Sequence, residues 1–339
     1  MNDTSAAISH IDLRRESQNA FALIKSEIAL VEQEMARQLS SQIQVVDYLG
    51  EYIRSAGGKR VRPALLILSN YAVGGRAFES NVIRLAAVME MLHTATLVHD
   101  DIIDNAAMRR SRPSVNSKFG NQSAVLMGDW LYMSAFETSL KERSLRILDI
   151  LTRLTRMMTE GELIQLQTIG KIDITENQYF DILKRKTAYL FSACCEVGAI
   201  LAGASDAQVS ALAEYGLNLG IAFQLADDLL DFTSKDEILG KAAGADLIEG
   251  KLTLPLIFLR NSDPDTADQM EIVMLDRSYN GISRKRLINA LERSGSLDLA
   301  RQRAYEYSHA ARKNLEVLPE TEYREALGEL PSFVIERRR

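Results

Sequence analysis

Cysteine is nearly missing from this 339-residue chain, and the two present, Cys194 and Cys195, are neighbours. Adjacent thiols inside an apolar helical pattern cannot staple a long loop, which excludes a disulfide scaffold and points to a reducing cytoplasm. Proline is scarce too, at 6 residues, and the 19 glycines form no Gly/Ser tract. With no linker to divide it, the chain reads as one domain over residues 17–339 behind a polar, flexible tail at 1–16. Strand-like alternation is almost absent. No uninterrupted apolar run reaches the ~18 residues of a membrane span, and the first residues hold no apolar core resembling a signal sequence. Excess positive charge is lacking as well: a net charge of -6 and a pI near 5.5 argue against a nucleic-acid binder, which needs a basic footprint to neutralise phosphates.

What is present is helical periodicity. Apolar residues recur at three- and four-residue spacing from Phe21 onward, as in Val82, Leu85, Ala86, Met89 and Leu92. Short turns such as "SAGGKRVRP", "RRSRPSVNSKFGN" and "GKAAGAD" punctuate the pattern, which predicts an all-α bundle of about ten to thirteen helices. Two segments, Val82 to Asp104 and Asp206 to Phe232, are apolar on more than one face, as central helices are. Both end in the same way, in "HDDIID" and "ADDLLD".

Those endings are electrostatically misplaced. Asp100 and Asp104 stand one above the other on a helix face, with Asp101 rotated about 100° away. Like charges at this spacing cost roughly 0.2–0.5 kcal/mol, and acids at a helix C-terminus oppose the macrodipole by about 0.3–1 kcal/mol. A cation would reverse both signs. One such motif is as readily a solvated helix end, but two copies at the ends of central helices describe the mouth of a cavity. Oxygen ligands without histidine or cysteine favour Mg²⁺, which shares its shell with substrate phosphates.

The basic clusters are misplaced in the opposite sense. "GGKRVRP" precedes the helix "ALLILSNYA", where cations oppose the dipole but an anion would meet free N–H groups together with Lys59 and Arg62. Lys186 and Thr187 fall near the inward face of "YFDILKRKTAYLFSACC", while Lys184 and Arg185 point elsewhere and are expected to be solvated. Gln224 should share a face with Asp227 and Asp228, and His93 with Asp100. A core-satisfied amide or imidazole is the alternative for each.

"GGKRVRP", "LHTATLVHDDIIDNAAMRR", "FGNQSAVLMGDWLYMSAF", "KRKTAYLF", "GIAFQLADDLLDF" and "GKAAGADLIEGKLTLPLI" together resemble the trans-type (all-E) isoprenyl diphosphate synthases, in order and spacing, over nearly the whole chain beyond the tail. The resemblance implies the isoprenoid synthase fold and the head-to-tail condensation of an allylic diphosphate with isopentenyl diphosphate. It implies that Asp100, Asp104 and Asp227 hold Mg²⁺ on the allylic diphosphate. Arg109, Lys186, Thr187, Gln224, Lys241 and Lys251 would complete that site, and Lys59, Arg62, His93 and Arg110 would hold isopentenyl diphosphate. A homodimer is implied too, with no transmembrane segment and at most a peripheral membrane contact as product leaves.

In a helix that rises 1.5 Å per residue, a growing chain running back from Asp100 would meet Thr96 and Ala95, then Leu92 and Val88. Thr96 and Ala95 are small where short-chain relatives carry a bulky aromatic, so a long product, hexaprenyl to decaprenyl with octaprenyl at the centre, is expected. Phe136 is a candidate floor, or plain core. A class I terpene cyclase also ionises a prenyl diphosphate but needs no second diphosphate site, and a regulatory subunit would lack the aspartates. The catalytic half of a heterodimeric synthase stays open as an alternative.

Overall fold

The computed structural model describes residues 20–233, 244–280 and 282–336; the tail expected at 1–16 lies outside them, as does Lys241. Sixteen α-helices run through the described residues. The first nine are α1 (Lys25–Leu39), α2 (Gln44–Arg54), α3 (Val61–Ala72), α4 (Ser80–Ile103), α5 (Val115–Phe119), α6 (Asn121–Leu140), α7 (Leu145–Thr168), α8 (Glu176–Leu183) and α9 (Tyr189–Leu201). The rest are α10 (Asp206–Thr233), α11 (Ala245–Ile248), α12 (Leu254–Ser262), α13 (Pro264–Asp276), α14 (Arg284–Arg293), α15 (Ser296–Asn314) and α16 (Glu322–Glu336). The count exceeds the expected thirteen because α5 and α11 are single turns inside segments read as loops, and because Pro264 starts a new helix directly after α12.

Local chemistry sets the boundaries. Ser114, Ser144 and Ser283 each cap a helix by accepting a backbone N–H, and Thr175 forms a capping box with Gln178, each cap contributing roughly 1 kcal/mol. The expected loop after Asp104 is partly a hairpin, β1 (Met108–Arg109) against β2 (Arg112–Pro113). Its two-residue turn holds Arg110 at φ 50° and Ser111 at φ 61°, the left-handed pair a type I′ turn demands. Neither residue is glycine, so this is strain held by its surroundings, and it aims Arg110.

The centre is α4 and α10. By length and mean hydropathy (1.2) α4 could cross a membrane, yet 67% of that window is buried inside the bundle, as befits a core helix. It packs on α3 and α6, while α10 packs on α9 and α15. Gly216 and Gly220 let α9 and α10 touch: a Cβ on Gly220 would lie 2.6 Å from the Ala188 Cα. Phe191 is fully buried beside them, a side chain worth about 1.5–3 kcal/mol of apolar burial. Even alanine at position 220 would push the two helices apart.

Candidate active site

Because α4 and α10 end at the same side of the bundle, their aspartates face one cleft. It encloses about 410 Å³ and is lined by Asp100 and Asp104 from α4, by Gln224, Asp227 and Asp228 from α10, and by Lys186, Thr187 and Lys251. Between α8 and α9 the chain makes a π-turn, Lys184–Ala188, where the sequence pattern reads as uninterrupted helix. The wider turn brings Leu183, Lys186, Thr187 and Leu190 to the cleft together, a use to which π-bulges are often put.

The acids are charged at a cost. Burial pushes the Asp100 carboxyl up to about 6, and Glu162 and Asp104 add to that while Lys186 and Arg109 offset part of it. Burial also raises Asp228, to about 7, with Asp227 and Asp231 adding, although hydrogen bonds from Tyr179 and Gln224 pull the other way. Asp104 lies 3.5 Å from the Lys251 ammonium, which also meets Glu249 at 2.8 Å. Burial works against that ammonium, but these carboxylates outweigh it and hold its pKa above the ordinary lysine value.

Among the described residues no cluster of three or more His, Cys, Asp or Glu could hold an ion by itself. Asp100 and Asp104 on one wall and Asp227 on the other offer oxygens only, and a cation would offset the burial that raises Asp100. This donor set fits a hard cation that takes the rest of its shell from a phosphate ligand and water.

A relay of hydrogen bonds orders the other wall. The Thr187 hydroxyl donates to Gln224 Oε1 at 2.9 Å, and Gln224 Nε2 donates to Asp228 Oδ1 at 2.9 Å. Tyr179 donates to the second Asp228 oxygen. The middle acids of both motifs are thus structural: Asp228 anchors Gln224, and the buried Asp101 takes Arg109 through Nε at 2.7 Å and Nη2 at 2.7 Å. Lys186 pairs with Glu162.

Across the cleft, Arg62 stacks on Phe191 (4.9 Å) and Phe223 (5.9 Å) and lines the same space as His93. Its Nε is buried without a hydrogen-bond partner. Burial, then Arg62 and Arg110, press the His93 pKa well below its usual value, so the imidazole is neutral near pH 7. Arg109 and Arg110 line an adjoining pocket of about 60 Å³ with Arg54, Arg60 and Arg112; Lys59 is exposed just before α3.

Some expectations shift. Arg185 is not simply solvated: it bonds Asp181 and Glu160, tying α8 to α7. Thr96 lines the cleft, but Ala95, Leu92 and Val88 are fully buried, and Phe136 is half-buried on α6. Tyr179 and Gln165, which line the cleft, and Glu162, which stands beside Asp100 and Lys186, escaped the sequence reading, since none belongs to an acidic or basic motif. Tyr179 lies five residues before the "KRKT" run, close enough to have been considered with it.

An all-α bundle whose two central helices deliver acids to one cleft, facing buried cations, is the architecture of an enzyme that handles prenyl diphosphates. The model of the family described as polyprenyl synthetase matches residues 43–291. Octaprenyl diphosphate synthase of Escherichia coli (strain K12) is 39% identical over 318 residues, covering 94% of this chain and 98% of that protein. A polyprenyl synthase from Caulobacter crescentus CB15, complexed with calcium and isoprenyl diphosphate, superposes with a TM-score of 0.89 at 36% identity, covering 95% of this chain and 98% of that one. A decaprenyl diphosphate synthase from Rhodobacter capsulatus superposes with a TM-score of 0.87 at 34% identity, covering 95% and 99%. The chain belongs to the polyprenyl synthetase family and is a trans-prenyltransferase.

Proposed function

We propose that this chain elongates an allylic diphosphate, of farnesyl or geranylgeranyl type, by repeated condensation with isopentenyl diphosphate to a long all-trans polyprenyl diphosphate, with octaprenyl the central expectation. The observation that carries it is a single cleft in which Asp100, Asp104 and Asp227 face Arg62 and His93, with Arg110 in the pocket that adjoins it. Similarity to octaprenyl and decaprenyl synthases supports the long product, as does the small Thr96 on the cleft wall.

Asp100, Asp104 and Asp227 would hold Mg²⁺ against the allylic diphosphate. Bound there, the ions would supply electrophilic stabilisation to the departing diphosphate. Lys186 and Lys251, which line the cleft, would supply positive charge where negative charge develops, with Arg109 beside it in the adjoining pocket, and preorganised charge in a partly buried cleft acts more strongly than in water. Thr187 and Gln224, fixed by Asp228, orient polar contacts to the same group. Lys59, Arg62, His93 and Arg110 hold the homoallylic diphosphate. Neutral His93 can donate one hydrogen bond there without adding charge. Leu183, Leu190 and Phe223 line the cleft and exclude water that would quench a carbocation.

The working unit would be a homodimer in the cytoplasm. Leu126, Met133 and Leu140 lie seven residues apart on α6 and are all exposed, an unpartnered apolar stripe that a second copy can cover. Purified chain alone, given Mg²⁺, isopentenyl diphosphate and farnesyl diphosphate, should form long products read by chromatography. A strict requirement for a second polypeptide would overturn the homodimer in favour of a heteromeric synthase.

A further inference from the structure

Glu90 belongs to none of the motifs above, yet it lies at the heart of the basic cluster. It sits on α4 one turn before His93 and is only 2% exposed. Its Oε1 accepts from Arg60 Nη1 at 2.8 Å, whereas its Oε2 is buried with no hydrogen-bond partner. Arg60 has a second carboxylate, Glu32, whose Oε2 accepts from Nη2 at 3.1 Å. Arg60 and Arg110 close on Gly58 from two sides: a Cβ there would stand 2.9 Å from Nη1 of each. Glu90 is also the leading favourable charge on both Arg62 and Arg110. The bare oxygen carries a desolvation cost, set against the favourable charge that Glu90 gives the arginines around it.

Repeated condensation gives that charge a use. The diphosphate of each elongated product is the one that entered on isopentenyl diphosphate. To serve as the next allylic substrate, it must leave Arg62, His93 and Arg110 and cross the cleft to the aspartates. A pocket that held it too tightly would stall the chain after one addition.

We infer that Glu90 is a tuning residue of the homoallylic site, a fixed negative charge behind Arg62 and Arg110 that weakens their hold on diphosphate so that the product's head group can move to the next station. The inference rests on the assignment of that pocket to isopentenyl diphosphate. It gives Glu90 a sign opposite to that of a strut. Loss of a strut loosens the arginines and raises KM; loss of a repulsive charge tightens anion binding and slows hand-over.

The test uses the full chain with Glu90→Gln, Glu32→Gln and Arg62→Ala. Isopentenyl diphosphate KM and kcat are measured, together with competitive inhibition by inorganic diphosphate. Glu90→Gln should lower the KM and the inhibition constant roughly tenfold, the worth of one like charge at moderate range, and lower kcat as well. Glu32→Gln, which removes only the outer partner of Arg60, should not tighten binding. If Glu90→Gln raises KM, as a packing defect would, the inference is overturned. Should Glu90→Gln not fold, Glu90→Asp draws the charge back by one methylene and must still lower KM; an unchanged or higher value overturns it equally. Arg62→Ala separates the two layers, since an unchanged KM in that variant removes the pocket assignment itself, whatever Glu90 does.

Discussion

Replacing Asp100 by asparagine should stabilise the metal-free protein while abolishing its turnover. The carboxyl is pushed from an ordinary 3.8 to about 6, chiefly by burial, so the folded chain resists ionising a group that ionises freely when unfolded. At about 1.4 kcal/mol per pH unit this costs about 3 kcal/mol once both states are charged. The folded pKa is the higher one, so the folded state binds the extra proton and stability falls as pH rises from near 4 through 6. Below pH 4 both states are protonated and the cost vanishes. The Asp100→Asn variant, free of this term, should match the parent near pH 4 and exceed it by about 3 kcal/mol at pH 8, or roughly 4 °C in melting temperature for a chain of this length. Differential scanning calorimetry in EDTA at the two pH values reads the difference. Added Mg²⁺ with diphosphate should raise the melting temperature of the parent but not that of the variant. A variant less stable than the parent at pH 8 in EDTA, or one that keeps near-normal turnover, would refute both the strain and the ligand role.

Asp227→Ala should likewise reduce turnover by orders of magnitude with little change in melting temperature, because Asp227 is exposed; steady-state rates at saturating substrate check it. Gln224→Leu strips the Thr187–Asp228 relay of its centre and leaves buried Asp228 short of a donor, so urea unfolding should show a loss of about 1–3 kcal/mol alongside reduced kcat. Thr96→Phe projects an aromatic ring into the cleft and should shorten the product as read by chromatography, with stability largely kept. Ala95→Phe, by contrast, must force a ring into a fully buried site and should cost about 1–3 kcal/mol of stability by overpacking; an undisturbed melting temperature would show that space exists there.

The two central helices were legible because their apolar character on every face and their terminal aspartates are local in sequence. Asp101 was read correctly as pointing away from Asp100 and Asp104, since helical geometry alone dictates it. What it points toward was not legible: Arg109 arrives from a hairpin whose positive-φ turn carries neither glycine nor asparagine. The π-turn escaped for a similar reason, as one extra residue in a helical turn leaves no mark on an apolar pattern. Partners brought from far along the chain were the least readable. Glu32 and Glu90 lie 28 and 30 residues from Arg60 in sequence and meet it only after the bundle has formed. Arg185 looked like a surface charge because Glu160 is 25 residues away in sequence. Thr96 and Ala95 looked alike in sequence, and only packing distinguishes the one on the cleft wall from the one sealed in the core.

That the acids stand at the ends of α4 and α10 has a bearing on heat resistance. Each carboxylate pair is fixed to the tip of a rod more than twenty residues long, and those rods are the bundle's own interior. Reaction competence and the folded bundle should therefore melt together, in one step, where an enzyme with its acids on surface loops would fail first at the loops and unfold afterwards.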